Sequence, residues 1–277
     1  MPEPLIQLQG ISKYFGDRMI YHDLHLDIFP GETLVILGGS GSGKSTLLRV
    51  LMGHLKIDAG HVLIRGRSLN DMDRRELDSW RKSVGVLFQT GALFNSMTLR
   101  ENLALPVREH TDLDDQTIDL MAQIYLQLVG LREHIDKLPA ELSGGMKKRG
   151  GLARALMMQP RILFYDEPTA GLDPISTAQI GELIMNLKNK MGATSVLVTH
   201  DMQSAFQLAD RLALLFDGKF AAIGSVEYFR TTADPLVRQF VDGRLDGPFI
   251  NPSDQCSYKA ELLGRKLHEV PHGKKTT

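Results

Sequence analysis

Gly38-Gly39-Ser40-Gly41-Ser42-Gly43-Lys44-Ser45 decides how the rest of the chain is read. The octapeptide satisfies G-x-x-x-x-G-K-[ST] and stands where that pattern has a mechanism. Before it, Thr33 to Leu37 is an apolar run short enough for a buried strand; after it, Lys44 to Met52 reads as a helix. The glycines let backbone N–H groups converge on phosphate oxygens with no side chain between. The start of the helix adds favourable partial positive charge. Lys44 is placed to reach the β- and γ-phosphates of a nucleotide, and Ser45, with Thr46 beside it in the binding loop, to ligate Mg²⁺. A serine–glycine turn without a ligand would not need strand, Lys-Ser and helix in this order.

Outward from the loop, the chain alternates strands and helices. Leu24, Leu26 and Ile28 point one way with His25 and Asp27 between them, and Pro30-Gly31 marks a turn. Val84 to Leu87 is another short apolar run. From about Leu99 to Leu138 the periodicity is helical, with Leu120, Ile124, Leu128 and Leu131 expected on one face. The strand-and-helix rhythm resumes with Ile162 to Tyr165, a helix over roughly Ile175 to Lys190, Ser195 to Val198, and Leu212 to Phe216. The expectation is an α/β domain over residues 1–230 with a helical insert at about 90–158. Residues 231–277 read as an extension. A short helix there carries Leu236, Val237, Phe240 and Val241 on one face, and an extended segment is anchored by Tyr258, Leu262 and Leu263.

Ile162-Leu163-Phe164-Tyr165-Asp166-Glu167 is an apolar strand that ends in two carboxylates. Ligands of parallel sheets sit at the carboxyl ends of strands. Beside a phosphate loop, Asp166 is placed to hold Mg²⁺ through water and Glu167 to polarise an attacking water.

Composition removes several classes. A net charge of −1 gives no support to nucleic-acid binding, which favours a basic domain or stripe. Cys256 is the one cysteine, so no internal disulfide forms, which suits a reducing compartment. Met1-Pro2-Glu3-Pro4 lacks the basic and apolar regions of a signal peptide, and no apolar run approaches the roughly 20 residues that span a bilayer.

A second candidate anion site is Leu142-Ser143-Gly144-Gly145-Met146, ahead of Lys147-Lys148-Arg149 and a helix to about Met158. Ser143 reads as an N-cap, with Gly144 and Gly145 exposing N–H groups at the helix start. Here the chain resembles the ABC ATPases, whose signature is usually L-S-G-G-Q, over residues 5 to about 230. The fold this implies is a P-loop NTPase core with an antiparallel β subdomain and a helical insert. Gln89 matches the family's Q-loop glutamine, Ala170-Gly171-Leu172-Asp173 its D-loop, His200 its switch histidine, and Phe15 the aromatic that stacks on adenine. The resemblance implies ATP as substrate, Mg²⁺ as cofactor with Gln89 a further ligand, and hydrolysis served by Lys44, Gln89, Glu167 and His200. It also implies two copies facing head to tail, so that Ser143, Gly144, Gly145 and Asp173 of one approach the ATP of the other.

Met146 departs from the usual glutamine. L-S-G-G-M-K-K-R over 142–149, Leu87 to Phe94, Pro106 to Thr111 and Asp234 to Gly243 resemble the ATPases of Mla-type phospholipid transporters. That resemblance implies a peripheral protein on the cytoplasmic face of a bacterial inner membrane. Its implied partners are a permease of the MlaE type, an MCE-domain substrate-binding protein and, in some of these systems, a small STAS-domain protein. The competing reading is the ATPase of a polar-solute importer, such as an amino-acid system. Gly150-Gly151 departs from the family, which more often has larger residues there, at roughly 1 kcal/mol of helix stability each relative to Ala.

Lys44→Ala is expected to abolish ATP binding, because the lysine supplies charge to the phosphates in the ground state. Equilibrium binding of a fluorescent ATP analogue reads the outcome, and undiminished affinity would remove Lys44 from the phosphate site.

Overall fold

The computed structural model describes residues 3–248. The described chain opens with β1 (Ile6–Phe15) and β2 (Arg18–Ile28), followed by β3 (Thr33–Leu37) and α1 (Lys44–Leu51). Next come β4 (Ala59–Ile64), β5 (Arg67–Ser68), α2 (Arg74–Lys82) and β6 (Val84–Leu87). The helices α3 (Leu99–His110), α4 (Asp115–Leu128) and α5 (Gly144–Leu156) then interrupt the alternation. It resumes with β7 (Ile162–Asp166), α6 (Pro174–Met191), β8 (Thr194–Thr199), α7 (Met202–Leu208), β9 (Arg211–Phe216) and β10 (Lys219–Ser225). α8 (Val226–Thr231) and α9 (Pro235–Asp242) complete it.

Two sheets form. One is antiparallel in the order β2-β1-β4-β5; the other runs β10-β9-β3-β8-β7-β6 and is parallel except for β10. Their sequences show the difference. β2 buries Leu24, Leu26 and Ile28 and exposes His25 and Asp27, the half-covered pattern of an antiparallel strand. β3 and β8 are buried at every position, as strands inside a parallel sheet must be. A core shared by Ile6, Leu26, Leu34, Leu48, Phe164 and Val198 joins the two sheets and α1.

The helical insert has its own core, with Leu103 and Val107 of α3, Ile118, Ala122 and Leu126 of α4, and Ala153 of α5. α3 begins at a reciprocal cap in which Thr98 and Glu101 satisfy each other's backbone N–H groups. The face of α4 differs from the expected one. Leu120 and Ile124 are 59% and 56% exposed, and the buried stripe is Ile118-Ala122-Leu126. α4 carries two apolar stripes on opposite faces, and periodicity alone does not choose between them. Ala122 is buried with Ile118 and Leu126 in the core of the insert, so its stripe is the one turned inward. Leu131 is buried, but beyond the helix end.

The paired glycines of α5 are explained by packing. A Cβ on Gly151 would lie 2.5 Å from the carbonyl oxygen of Gly91, and one on Gly150 would lie 2.8 Å from Leu99 Cδ2. Gly91 itself has φ +76° and faces the Lys147 carbonyl. Backbone of the loop after β6 therefore touches backbone of α5, and Arg154 Nη1 ties down that loop by donating to the Ala92 carbonyl at 2.8 Å.

The chain divides into two compact units between Tyr228 and Phe229. In the second unit, Asp234 caps α9 by accepting from the N–H groups of Leu236 and Val237. Val237 is buried, while Leu236, Phe240 and Val241 are half-buried. The expected segment with Tyr258, Leu262 and Leu263 lies outside the described residues. Among the described residues, no helix is long and apolar enough to cross a membrane.

Gly151→Ala separates two effects of opposite sign. At an unconstrained helix position the change gains about 1 kcal/mol; against the Gly91 carbonyl, overpacking costs about 1–3 kcal/mol. Net destabilisation in urea unfolding is expected, and stabilisation would show that the contact yields freely.

Candidate functional site

The parallel sheet brings the site together through register. Leu37, the last residue of β3, pairs with Thr199 of β8, and Asp166 at the end of β7 pairs with Val198. The phosphate loop, Glu167 and His200 thus leave adjacent strands at the same edge. Gln89 follows β6, whose Leu87 pairs with Tyr165.

The loop geometry requires its glycines. Gly41 and Gly43 have φ of +76° and +100°, conformations that favour glycine. A Cβ on Gly38 would fall 2.6 Å from Ser42 Oγ and 2.7 Å from the Leu215 carbonyl. Fully buried Tyr21 braces the loop from below by donating its hydroxyl to the Gly43 carbonyl. Ser42 Oγ is buried without a hydrogen-bond partner.

Lys44 Nζ donates to the carbonyls of Gly38 and Gly39, both at 2.9 Å, and lies 4.0 Å from Glu167 Oε1. Burial holds its pKa below the ordinary lysine value, partly offset by Glu167 and Asp166. Ser45 Oγ donates to Asp166 Oδ1 at 2.7 Å. A hydroxyl and a carboxylate are hard oxygen donors that fit Mg²⁺. Among the described residues, no cluster of three or more His, Cys, Asp or Glu could hold an ion alone, so substrate oxygens or water would complete the shell.

Glu167 has φ +49°, unusual for a residue with a side chain, and its N–H donates to the Val198 carbonyl at 3.0 Å. Its carboxylate accepts from Thr199 Oγ1 at 3.2 Å and lies 2.9 Å from His200 Nδ1. The carboxylate is 12% exposed and the imidazole 63%, so the pair joins a sheltered acid to a solvent-facing ring.

Phe15, Ser40, Lys44, Gln89, Glu167 and His200 line one cavity of about 690 Å³, together with Arg18, Ile20, Gly41, Gly43, Ser45 and Thr46, whereas Gly38, Gly39, Ser42 and Asp166 lie behind its wall. Phe15 is 51% exposed, with Lys13 Nζ 5.5 Å from its ring centre. Ser143, Gly144, Gly145 and Asp173 do not line this cavity. Ser143 caps α5 by accepting from the Met146 N–H, and Asp173 caps α6 by accepting from Ile175 and Ser176. A Cβ on Gly145 would meet Ser176 Oγ at 2.9 Å, so the two helix starts lie side by side as a second cluster.

Sequence reasoning passed over Arg18, Ile20, Thr199 and Lys148. Thr199 was accessible as the neighbour of His200. Lys148 Nζ donates to the carbonyls of Glu167 at 3.1 Å and Ala170 at 2.7 Å. Its signal was helical phase: Gly145, Lys148 and Leu152 share the buried face of α5.

Strand, phosphate loop, helix and acidic strand end define a nucleoside-triphosphate site of the P-loop kind. The family model described as ABC transporter matches residues 21–170. The chain belongs to this family, and is an ATPase subunit within it. It is 39% identical over 259 residues to the intermembrane phospholipid transport system ATP-binding protein MlaF of Escherichia coli, covering 94% of this chain and 96% of that one. It is 44% identical over 243 residues to a probable ribonucleotide transport ATP-binding protein, mkl, of Mycobacterium leprae, covering 88% and 70%. Among solved structures, a dimeric ATP-binding cassette bound to ADP and Pi in a post-hydrolysis state superposes with a TM-score of 0.73 at 31% identity, covering 80% of this chain and 98% of that one.

Glu167→Gln preserves shape while removing the basic carboxylate. ATP binding is expected to persist while turnover falls by roughly 10²–10⁴-fold. Steady-state phosphate release alongside nucleotide binding tests this, and wild-type turnover would remove Glu167 from the chemistry.

Proposed function

We propose that this chain powers the movement of phospholipid between bacterial membranes, acting as a homodimer on the cytoplasmic face of the inner membrane. The observation that carries the reading is the two-sided match to MlaF, which takes in 94% of this chain and 96% of the relative. A match of 259 residues in a chain of 277 extends past residue 230, and this reading gives the extension at 231–277 a role in contacting the dimer or a partner. An MlaE-like permease, an MCE-domain substrate-binding protein and a small STAS-domain protein are the partners this reading supplies.

In the proposed mechanism, Phe15 stacks on adenine. The N–H groups from Gly38 to Lys44 cradle the phosphates, and Lys44 exchanges two loop carbonyls for phosphate oxygens. Ser45, Asp166 and Gln89 would hold Mg²⁺, which would supply positive charge against the phosphates. Glu167 takes the proton of the attacking water, and His200 holds the γ-phosphate while its ring remains paired with Glu167. Ser143, Gly144, Gly145 and Asp173 complete the site of a second copy. Their separation from the cavity of their own chain supports that role, as does the dimeric state of the superposed cassette. A groove of about 500 Å³ lined by Phe88, Ala92, Phe94, Leu105, Pro106 and Met158 receives the permease. It lies between the loop after β6 and the helical insert, so a permease seated there touches the element that carries Gln89.

A polar cargo is the second reading, favoured by the description of the mycobacterial relative as a ribonucleotide transport protein, of which this chain covers 70%. Deletion decides between them. Loss of the chain is expected to raise detergent sensitivity and alter phospholipid distribution between the membranes, with ribonucleotide uptake unchanged. Lost ribonucleotide uptake with unaltered lipid would replace the first reading by the second.

A further inference from the structure

Lys148 is 4% exposed, and among the described residues it forms no ion pair. Its ammonium group is bonded instead to the Glu167 and Ala170 carbonyls, the two ends of a turn closed by the Ala170 N–H donating to the Glu167 carbonyl at 3.2 Å. Burying a charge that closes no ion pair is costly even with the Glu167 carboxylate acting on it from a distance, and an apolar side chain would fill the same space at lower cost. Packing therefore does not account for it. Hydrogen bonds from a charged donor are about twice as strong as neutral ones, and these fall on a backbone that needs holding. Glu167 sits at φ +49°, so the direction of its side chain depends on a conformation it does not prefer. The same helix is seated on the loop after β6: the Lys147 carbonyl and Gly151 meet Gly91, and Arg154 bonds the Ala92 carbonyl.

We propose that Lys148 is a positioning residue for ATP hydrolysis: it fixes the Glu167–Ala170 turn so that the Glu167 carboxylate stays aimed at the attacking water, and it relays to that turn how α5 is seated on the loop at Gly91 and Ala92. This rests on the reading of Glu167 as the base. Lys148 need not touch the nucleotide, so its loss acts on turnover and not on binding.

The test uses the full-length chain. Lys148→Met keeps the bulk and removes the donors, and is expected to lower kcat at least tenfold while the KM for ATP stays within about twofold, a part of the roughly 10²–10⁴ that a base supplies. Lys148→Arg, which restores a charged donor, is expected to recover most of the rate. In a Glu167→Gln background, Lys148→Met is expected to change residual hydrolysis by less than about twofold, because a residue acting through Glu167 has nothing left to act on. A merely structural lysine would multiply the two losses, and that result would overturn the proposal. So would an unchanged kcat, or a raised KM at constant kcat. ATP-induced stabilisation against heat confirms that each variant is folded; if Lys148→Met is not, Lys148→Gln takes its place in every measurement, with the same results expected and the same results overturning the proposal. Wild-type turnover in Glu167→Gln alone would sink the reading of the base, whereas a stalled Glu167→Gln beside a fully active Lys148→Met would sink only the role of Lys148.

Discussion

The pairing of β3 with β8 and of β8 with β7 is the constraint on which the site depends. Leu37 opposite Thr199, and Val198 opposite Asp166, bring three chain reversals to one sheet edge. A strand slipped by one residue would turn its side chains to the opposite face. The register is secured by strands that are buried throughout, so a slip would have to unmake the core on both faces at once. The candidate site at the edge is thus held in place by apolar side chains that lie outside it.

Inside that frame, polar groups are arranged at short range. Lys44 and Lys148 are both buried amines held by backbone carbonyls, one at the phosphate loop and one behind the acidic strand end. Burial pushes both pKa values down and the nearby Glu167 pushes both up. Glu167 lies between them, its carboxylate toward Lys44 and its carbonyl toward Lys148. One amine approaches the side chain of this residue and the other bonds its backbone, while Thr199 and His200 make further contacts with its carboxylate.

Much of this was legible in the sequence. The glycine-rich loop, the acidic strand end and the place of His200 beside them were readable because each follows a recognisable strand at fixed spacing. The alternation in β2 was equally plain. What escaped had a common cause: more than one apolar or polar arrangement satisfied the local pattern. α4 has two apolar stripes, and Ala122 rather than Leu120 and Ile124 marks the inner one. Lys147, Lys148 and Arg149 are three basic residues in a row, and only the phase set by Gly145 and Leu152 singles out the middle one. Gly150 and Gly151 read as a loss of helix stability until Leu99 and Gly91 are seen against them.

That last contact sets a dimensional tolerance. Most neighbouring elements in a protein are separated by side chains, which take up small displacements by changing rotamer. At Gly151 and Gly91 nothing lies between the two backbones that could yield. One methyl group inserted there would need roughly an ångström of clearance to reach ordinary contact. An ångström is more than the whole interval over which an N–H···O bond keeps its strength, and one turn earlier on the same helix Lys148 holds two such bonds. The two glycines act as a spacer of fixed thickness. They set how closely a helix must fit its loop for a carboxylate at the far end of the same packing to stay aligned.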